Sequence, residues 1–206
     1  MPYFPFFANI ENMPCLVVGG GQVALRKIEK LLDFSPIIKV VALQACGEIK
    51  ALAKRGMIAL FERAFEDSDI GGSAFVITAT GDREVNRHIS QLCRQRHILC
   101  NAVDDPESCT FFFPALVTEG DVCIGISTGG KSPTLASHLR KTIGSQTEGR
   151  LGDVCDAMGK VRDYALENIP TEQARKKAMA EVLKKYLESG VLPTEKQLIE
   201  MIKERK

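Results

Sequence analysis

Cys15-Leu16-Val17-Val18-Gly19-Gly20-Gly21-Gln22-Val23-Ala24 is an apolar run that breaks into three glycines and resumes as an amphipathic stretch. A short β-branched strand followed by glycines and a helix start is the local order of a dinucleotide-binding crossover. Gly19, Gly21 and Ala24 fill the G-x-G-x-x-A fingerprint. In that pattern the first glycine makes the tight turn, the second lets the backbone approach a pyrophosphate, and the small third residue lets the helix pack closely. The helix-start amides have no partner inside the helix, so they face the anion. Glycine turns recur by chance, and this one gains its weight from the repeated strand and helix pattern on its C-terminal side.

Short apolar runs alternate with amphipathic stretches from Cys15 to Val103, the pattern of a parallel sheet with crossover helices. Strands are expected at Cys15–Val18, Lys39–Ala42, Ile58–Phe61, Ala74–Ala79 and Leu99–Val103, with helices at Val23–Leu32, Glu48–Lys54 and Arg83–Arg96. This is a Rossmann-like, doubly wound unit of five strands. An acid normally ends the second strand and holds the ribose hydroxyls. Here Ala42-Leu43-Gln44-Ala45 supplies only backbone groups and the Gln44 amide. No Arg comes after it to hold a 2′-phosphate, which favours NAD over NADP.

Two more loops leave strand ends on the same edge, where open α/β sheets bind ligands. Thr78-Ala79-Thr80-Gly81-Asp82 has small residues that suit a cofactor wall. Asn101-Ala102-Val103-Asp104-Asp105-Pro106 sets two carboxylates beside the expected nicotinamide. Asp and Pro also favour plain turns, so on spacing alone the structural and catalytic readings are equally supported.

Beyond Pro106 the pattern changes. Phe111–Val117 and Val122–Ser127, joined at Glu119-Gly120-Asp121, read as two antiparallel strands that need another surface to cover them. Thr128-Gly129-Gly130-Lys131 is a loop, and Ser132-Pro133 opens a helix over Thr134–Ile143, since Ser caps and Pro at the first turn loses no hydrogen bond. From Leu151 only helical periodicity remains, broken at Asn168-Ile169-Pro170 and Gly190-Val191-Leu192-Pro193, which implies three helices with Thr171 and Thr194 as caps.

Composition bounds the function. Lys and Arg number 27 against 26 Asp and Glu, a net charge of +1, so the clustered positive charge that draws a protein to nucleic acid or an anionic membrane is missing. Residues 160–206 carry 11 Lys or Arg and 8 Asp or Glu, which reads as a solvated helical face. The N-terminal stretch has no basic leader and no segment is a membrane span, so the expected location is the cytoplasm. Seven cysteines, none at C-x-x-C spacing, and His88, His97 and His138, none at ligand spacing, predict no metal site. Cys15, Cys100 and Cys123 sit in strand-like runs and read as small buried hydrophobes. His138 lies after the glycine loop and is a weaker candidate for facing a ligand.

Taken together, Gly19-Gly20-Gly21-Gln22-Val23-Ala24 with Arg26-Lys27, the Ala79-Thr80 loop, Asn101-Ala102-Val103-Asp104, the Phe111–Pro114 segment and Ser127-Thr128-Gly129-Gly130-Lys131-Ser132-Pro133 resemble the precorrin-2 dehydrogenase family, which includes the amino-terminal part of bifunctional siroheme synthase. The matches fall in order over residues 1 to 145; the tail matches only as a helical region. The resemblance implies NAD-dependent oxidation of precorrin-2 to sirohydrochlorin in siroheme biosynthesis, with ferrous iron inserted by some members. It implies cofactor contacts at Gln22, Val23, Leu43 and Gln44, which join Gly19 and Gly21 of the fingerprint and Thr80 of the second loop, an essential aspartate at Asp104, and tetrapyrrole contacts in the loop of Ser127, Thr128 and Gly129, with Lys131 beside them. Cationic Arg26, Lys27, Lys131 and Arg140 suit a substrate with eight carboxylates.

Family members are homodimers that exchange the segment after the Rossmann unit. The expected organisation is therefore an NAD-binding domain over 1–110, a small α+β dimerisation segment over 111–148 and a helical C-terminal domain over 149–206. No methyltransferase domain is present in the chain, so precorrin-2 is expected from another protein. The competing reading is a non-catalytic NAD-sensing Rossmann module, which usually keeps the acid that is missing after the second strand.

Overall fold

The strand-forming runs of the N-terminal half are Val- and Ile-rich around Val17, Val40 and Val76, as strands covered on both faces must be, while the runs at 59–62 and 99–102 carry neither residue. In the computed structural model, which describes residues 4–189 together with 196, 197 and 200, they form β1 (Pro14–Val18), β2 (Ile37–Ala42), β3 (Ala59–Glu62), β4 (Phe75–Thr78) and β5 (Leu99–Ala102). All five are parallel, in the order β3-β2-β1-β4-β5. The crossovers carry α1 (Gln22–Leu32), α2 (Gly47–Lys54) and α3 (Arg83–Gln95). Each expected strand and helix of this unit is present, with ends moved by one or two residues.

Alternation along the strands sorts the core into two layers. Cys15, Val17, Phe75 and Ile77 pack with Leu25 and Ile28 of α1 and Ile49 of α2. Leu16, Val18, Val76 and Cys100 point to the other face, against Ile89 and Cys93 of α3. Helices on both faces make the sheet doubly wound. Each fully buried Leu, Ile or Val contributes roughly 1.5–3 kcal/mol relative to exposure.

At the β2–β3 side, buried Asp69 accepts from Lys39 Nζ at 2.7 Å and from two Arg63 guanidinium nitrogens, each at 2.7 Å. The Glu66 amide adds a fourth bond at 3.0 Å. These donors, Arg63 first, hold the Asp69 carboxyl far below the usual range.

The chain divides into two compact units between Phe113 and Pro114. In the second, β6 (Ala115–Glu119) and β7 (Val122–Ile126) form an antiparallel pair, followed by α4 (Pro133–Thr147), α5 (Leu151–Asn168) and α6 (Glu172–Ser189). Ser132 Oγ accepts from the Leu135 amide at 3.2 Å and Thr171 Oγ1 from the Ala174 amide at 3.3 Å, so both expected caps are made. Glu119 ties the hairpin to α5: its carboxylate accepts from the Thr147 hydroxyl and, at 2.8 Å, from the Leu151 amide. Val161 and Val182 join α5 to α6.

Three expectations are corrected. The strand expected over Phe111–Val117 begins only at Ala115. Phe111 lies edge-on to Phe75, with ring centroids 6.1 Å apart, and Phe113 packs on Phe111 at 5.4 Å, so these rings belong to the first unit's core. The hairpin, its covering surface expected from a second subunit, carries α4 of its own unit against both strands and α5 against β7. Cys123 is half-buried rather than buried, while Cys15 and Cys100 are in the core. Thr194 and the extent of the third C-terminal helix lie outside the described residues. Among the described residues, no helix is long and apolar enough to cross a membrane.

Candidate functional site

The strand order reverses between β1 and β4, and the crevice beyond their carboxyl ends is where open α/β sheets bind ligands. The glycine turn after β1 lies there. Gly19 has φ +129°, and a Cβ on it would overlap the Ala79 carbonyl and stand 3.2 Å from Thr80 N. A Cβ on Gly20 would overlap the Gln44 carbonyl and stand 2.8 Å from Ala45 Cα. Gly21 differs: its backbone is extended (φ −88°), and nothing among the described residues lies within 4 Å of its Cβ position. Of the three, Gly20 was given no role by the fingerprint. The signal for it was the third consecutive glycine where the pattern needs only two.

α1 begins at Gln22 with no side-chain cap and no acid in its first turn, which leaves the electropositive amides open to an anion. Gln22 is exposed, Val23 half-buried and Ala24 buried. Leu43, 81% exposed, stands at the end of β2, next to exposed Gln44. The acid missing from this strand has a counterpart one strand over. Glu62, last in β3, accepts from the Ala45 amide at 3.1 Å and pairs with Lys50 at 2.9 Å. Lys50, above all, lowers its carboxyl. Glu62 therefore shapes the loop carrying Leu43 and Gln44, a role sequence reasoning missed because it depends on register between strands.

Beyond β4, Ala79 and Thr80 lie against Gly19, and buried Asn86 of α3 bonds to Thr80. Asp82 caps α3 through the Glu84 amide at 2.8 Å and the Val85 amide at 3.3 Å.

Beyond β5, exposed Asp104 takes a left-handed conformation, φ +60°. The chain reverses there and runs back along β5. The Thr110 amide donates to the Cys100 carbonyl at 2.8 Å, the Asn101 amide group to the Phe111 carbonyl at 3.0 Å, and the Cys109 thiol to the Ala102 carbonyl at 3.1 Å. Asp105 accepts from the Ser108 hydroxyl at 2.6 Å, chiefly why its carboxyl is lowered. The two neighbouring carboxylates are thus separated: Asp105 precedes a 3-10 turn with its carboxylate tied to the Ser108 hydroxyl, and Asp104 is exposed on a left-handed reversal. Lys27 is half-buried, its Nζ 4.2 Å from the Phe113 ring centroid, and burial lowers its ammonium.

The loop over 127–131 belongs to the second unit. Gly129 and Gly130 have φ +62° and +80°, Ser127 Oγ accepts from the Gly129 amide at 3.2 Å and Thr128 Oγ1 from the Ser132 amide at 3.2 Å. Lys131 is exposed, as is His138 on α4. Among the described residues no group of three or more His, Cys, Asp or Glu is placed to hold a metal.

The family model NAD_binding_7, an NAD(P)-binding family, matches residues 6–115. The chain belongs to this family. The NAD(P)-binding match ends at the start of β6, and a second model, the central region of sirohaem biosynthesis proteins, matches residues 120–146.

Siroheme synthase of Methylococcus capsulatus is 39% identical over 176 residues, 85% of this chain and 37% of that protein. Siroheme synthase of Thioalkalivibrio sulfidiphilus is 38% identical over 177 residues, 86% of this chain and 36% of that protein. The chain therefore spans little more than a third of the length of these relatives. Among solved structures, one described as SirC, precorrin-2 dehydrogenase, has a TM-score of 0.79 at 20% identity, covering 98% of this chain and 100% of that one. The expected Rossmann-like fold with a small second sheet and helices is thus shared with that structure.

Proposed function

We propose that the protein oxidises precorrin-2 to sirohydrochlorin with NAD. The observation that carries this reading is the placement of Asp104: an exposed carboxylate on a left-handed reversal at the same sheet edge as the open glycine turn, two strands away. The glycine turn fits a dinucleotide because a Cβ at Gly21 would enter open space above uncapped helix amides. Gly19, Gly21, Gln22, Val23, Leu43, Gln44 and Thr80 would hold it. NAD, when bound, supplies the hydride acceptor.

The chain's own residues supply binding and proton transfer. Asp104 Oδ takes the proton that the tetrapyrrole must lose alongside the hydride, and its negative charge stabilises the cation that develops. Ser127 and Thr128 accept bonds from their own loop and keep their hydroxyl protons for donation to the substrate. With Gly129 and Lys131 they form the tetrapyrrole contact, Lys131 meeting a substrate carboxylate. Ferrous iron is a second substrate in this reading, not a resident metal. A homodimer completes it: α4 exposes Leu135 and Leu139, one turn apart, and among the described residues no further strand pairs with either edge of β6–β7.

Anaerobic incubation of the protein with precorrin-2 and NAD, with absorption recorded over time, should show the sirohydrochlorin spectrum. Added Fe2+ then tests chelation. NAD binding without any spectral change overturns the enzyme and leaves a nucleotide-sensing module.

A further inference from the structure

The Ala79-Thr80-Gly81 segment is short, its side chains are small, and it forms one wall of the crevice at the strand-order reversal. Loops so built have little surface to pack and should move. One buried side chain prevents this. Asn86, 6% exposed on α3, makes three bonds to a single residue: its Oδ1 accepts from the Thr80 hydroxyl at 2.7 Å and from the Thr80 amide at 3.3 Å, and its Nδ2 donates to the Thr80 carbonyl at 3.1 Å. Thr80 in turn sits against Gly19, and the Ala79 amide donates to the Val18 carbonyl at 2.7 Å.

We propose that Asn86 is a positioning residue of the dinucleotide site, its carboxamide locking the Thr80 loop against the glycine turn in the shape that receives the cofactor. The proposal rests on the reading of this crevice as a cofactor site. Only a carboxamide of this length both accepts and donates to one backbone residue here. A hydrophobic residue would leave the Thr80 amide and carbonyl without these partners, and a carboxylate would set a negative oxygen against the Thr80 carbonyl.

The test uses the full chain, with NAD binding measured by calorimetry and turnover with precorrin-2. Asn86→Ala should weaken NAD binding about tenfold, the equivalent of one to two net hydrogen bonds. Asn86→Asp keeps the shape and should weaken it similarly at neutral pH, then recover as pH falls and the protonated carboxyl regains a donor. Asp82 and Glu84, the charged groups nearest this loop, are the same in both proteins, so the difference between them belongs to residue 86. In turnover the KM for NAD should rise while the KM for precorrin-2 and kcat stay near wild type. Partial unfolding would lower kcat instead. If Asn86→Ala and Asn86→Asp fail to fold, Asn86→Ser, a small polar side chain too short to reach both the Thr80 amide and the Thr80 carbonyl, should weaken NAD binding in the same direction. Unchanged NAD affinity in a folded variant overturns the proposal. Wild type that binds no NAD overturns the functional reading itself.

Discussion

Gly21 carries the most direct test at the level of one residue. Its φ of −88° suits any side chain and its Cβ position is open, so Gly21→Asp introduces no strain. An Asp there even suits the start of α1, where Asp is a favoured cap. The variant should keep or slightly raise its thermal midpoint while NAD binding, measured by calorimetry, disappears, because a carboxylate then occupies the phosphate site. Asp104→Asn is the second test. Asn tolerates the left-handed backbone, so the reversal survives. NAD binding should persist while sirohydrochlorin formation falls roughly 10²–10⁴-fold, the usual worth of a positioned general base. Asp105→Asn should cost far less, since that side chain is engaged with Ser108. Near-normal turnover in Asp104→Asn, or greater damage from Asp105→Asn, would assign the proton to another group.

Between elements, Asp69 decides how β2, β3 and the 3-10 turn over 67–70 stay together. Its side chain is only 2% exposed yet ionised, held by Lys39, Arg63 and the Glu66 amide. Removing one member of such a buried set leaves the rest uncompensated, so Asp69→Asn should cost about 3–5 kcal/mol in urea denaturation at pH 7. The pH dependence comes from the depressed carboxyl. An unfolded Asp titrates near 3.9, so the contribution is complete above about pH 5 and is lost as pH falls below about 4 toward the folded value. The stability gap between wild type and Asp69→Asn should therefore narrow on acidification. A gap that stayed constant down to pH 2 would mean that the charge of Asp69 is not what stabilises this side of the sheet. The helix starts at this scale were readable: Ser132 and Thr171 are capping residues in sequence and cap in the structure, because a cap needs only neighbours three residues away.

For the whole molecule the open question is assembly. Leu135 and Leu139 are 49% and 38% exposed on α4, and among the described residues no third strand joins the β6–β7 sheet, features that a second copy would cover. Sedimentation at micromolar concentration should give a dimer, and Leu135→Glu combined with Leu139→Glu should shift it to monomer without unfolding the first unit. A wild-type protein that sediments as a monomer would remove the exchanged-segment reading. The organisation of this half was the least legible in sequence. Phe111 and Phe113 look like strand residues, but their rings are claimed by Phe75 and Lys27 of the first unit. The hairpin therefore starts four residues later than its pattern suggested.

What the sequence by itself determined is local or periodic: the β1–glycine–α1 crossover, the five short apolar strands with buried Val and Ile in the central three, the amphipathic helices, the caps, and Asp104 on a strand-end loop. Each depends on neighbours within a few residues or on a repeating face, and both are written along the chain. What only the tertiary structure decided depends on partners far apart in sequence. Gly20 must lack a side chain because Gln44 returns against it. Glu62 shapes the Leu43–Gln44 loop from the adjacent strand, Cys109 and Thr110 bond to the edge of β5, and Asn86 holds Thr80. Asp104 and Asp105, alike in sequence, divide into an exposed carboxylate and one tied to the Ser108 hydroxyl because the chain reverses at Asp104 with φ +60°. Such contacts depend on strand register and on how loops meet after folding, and no run of residues records that by itself.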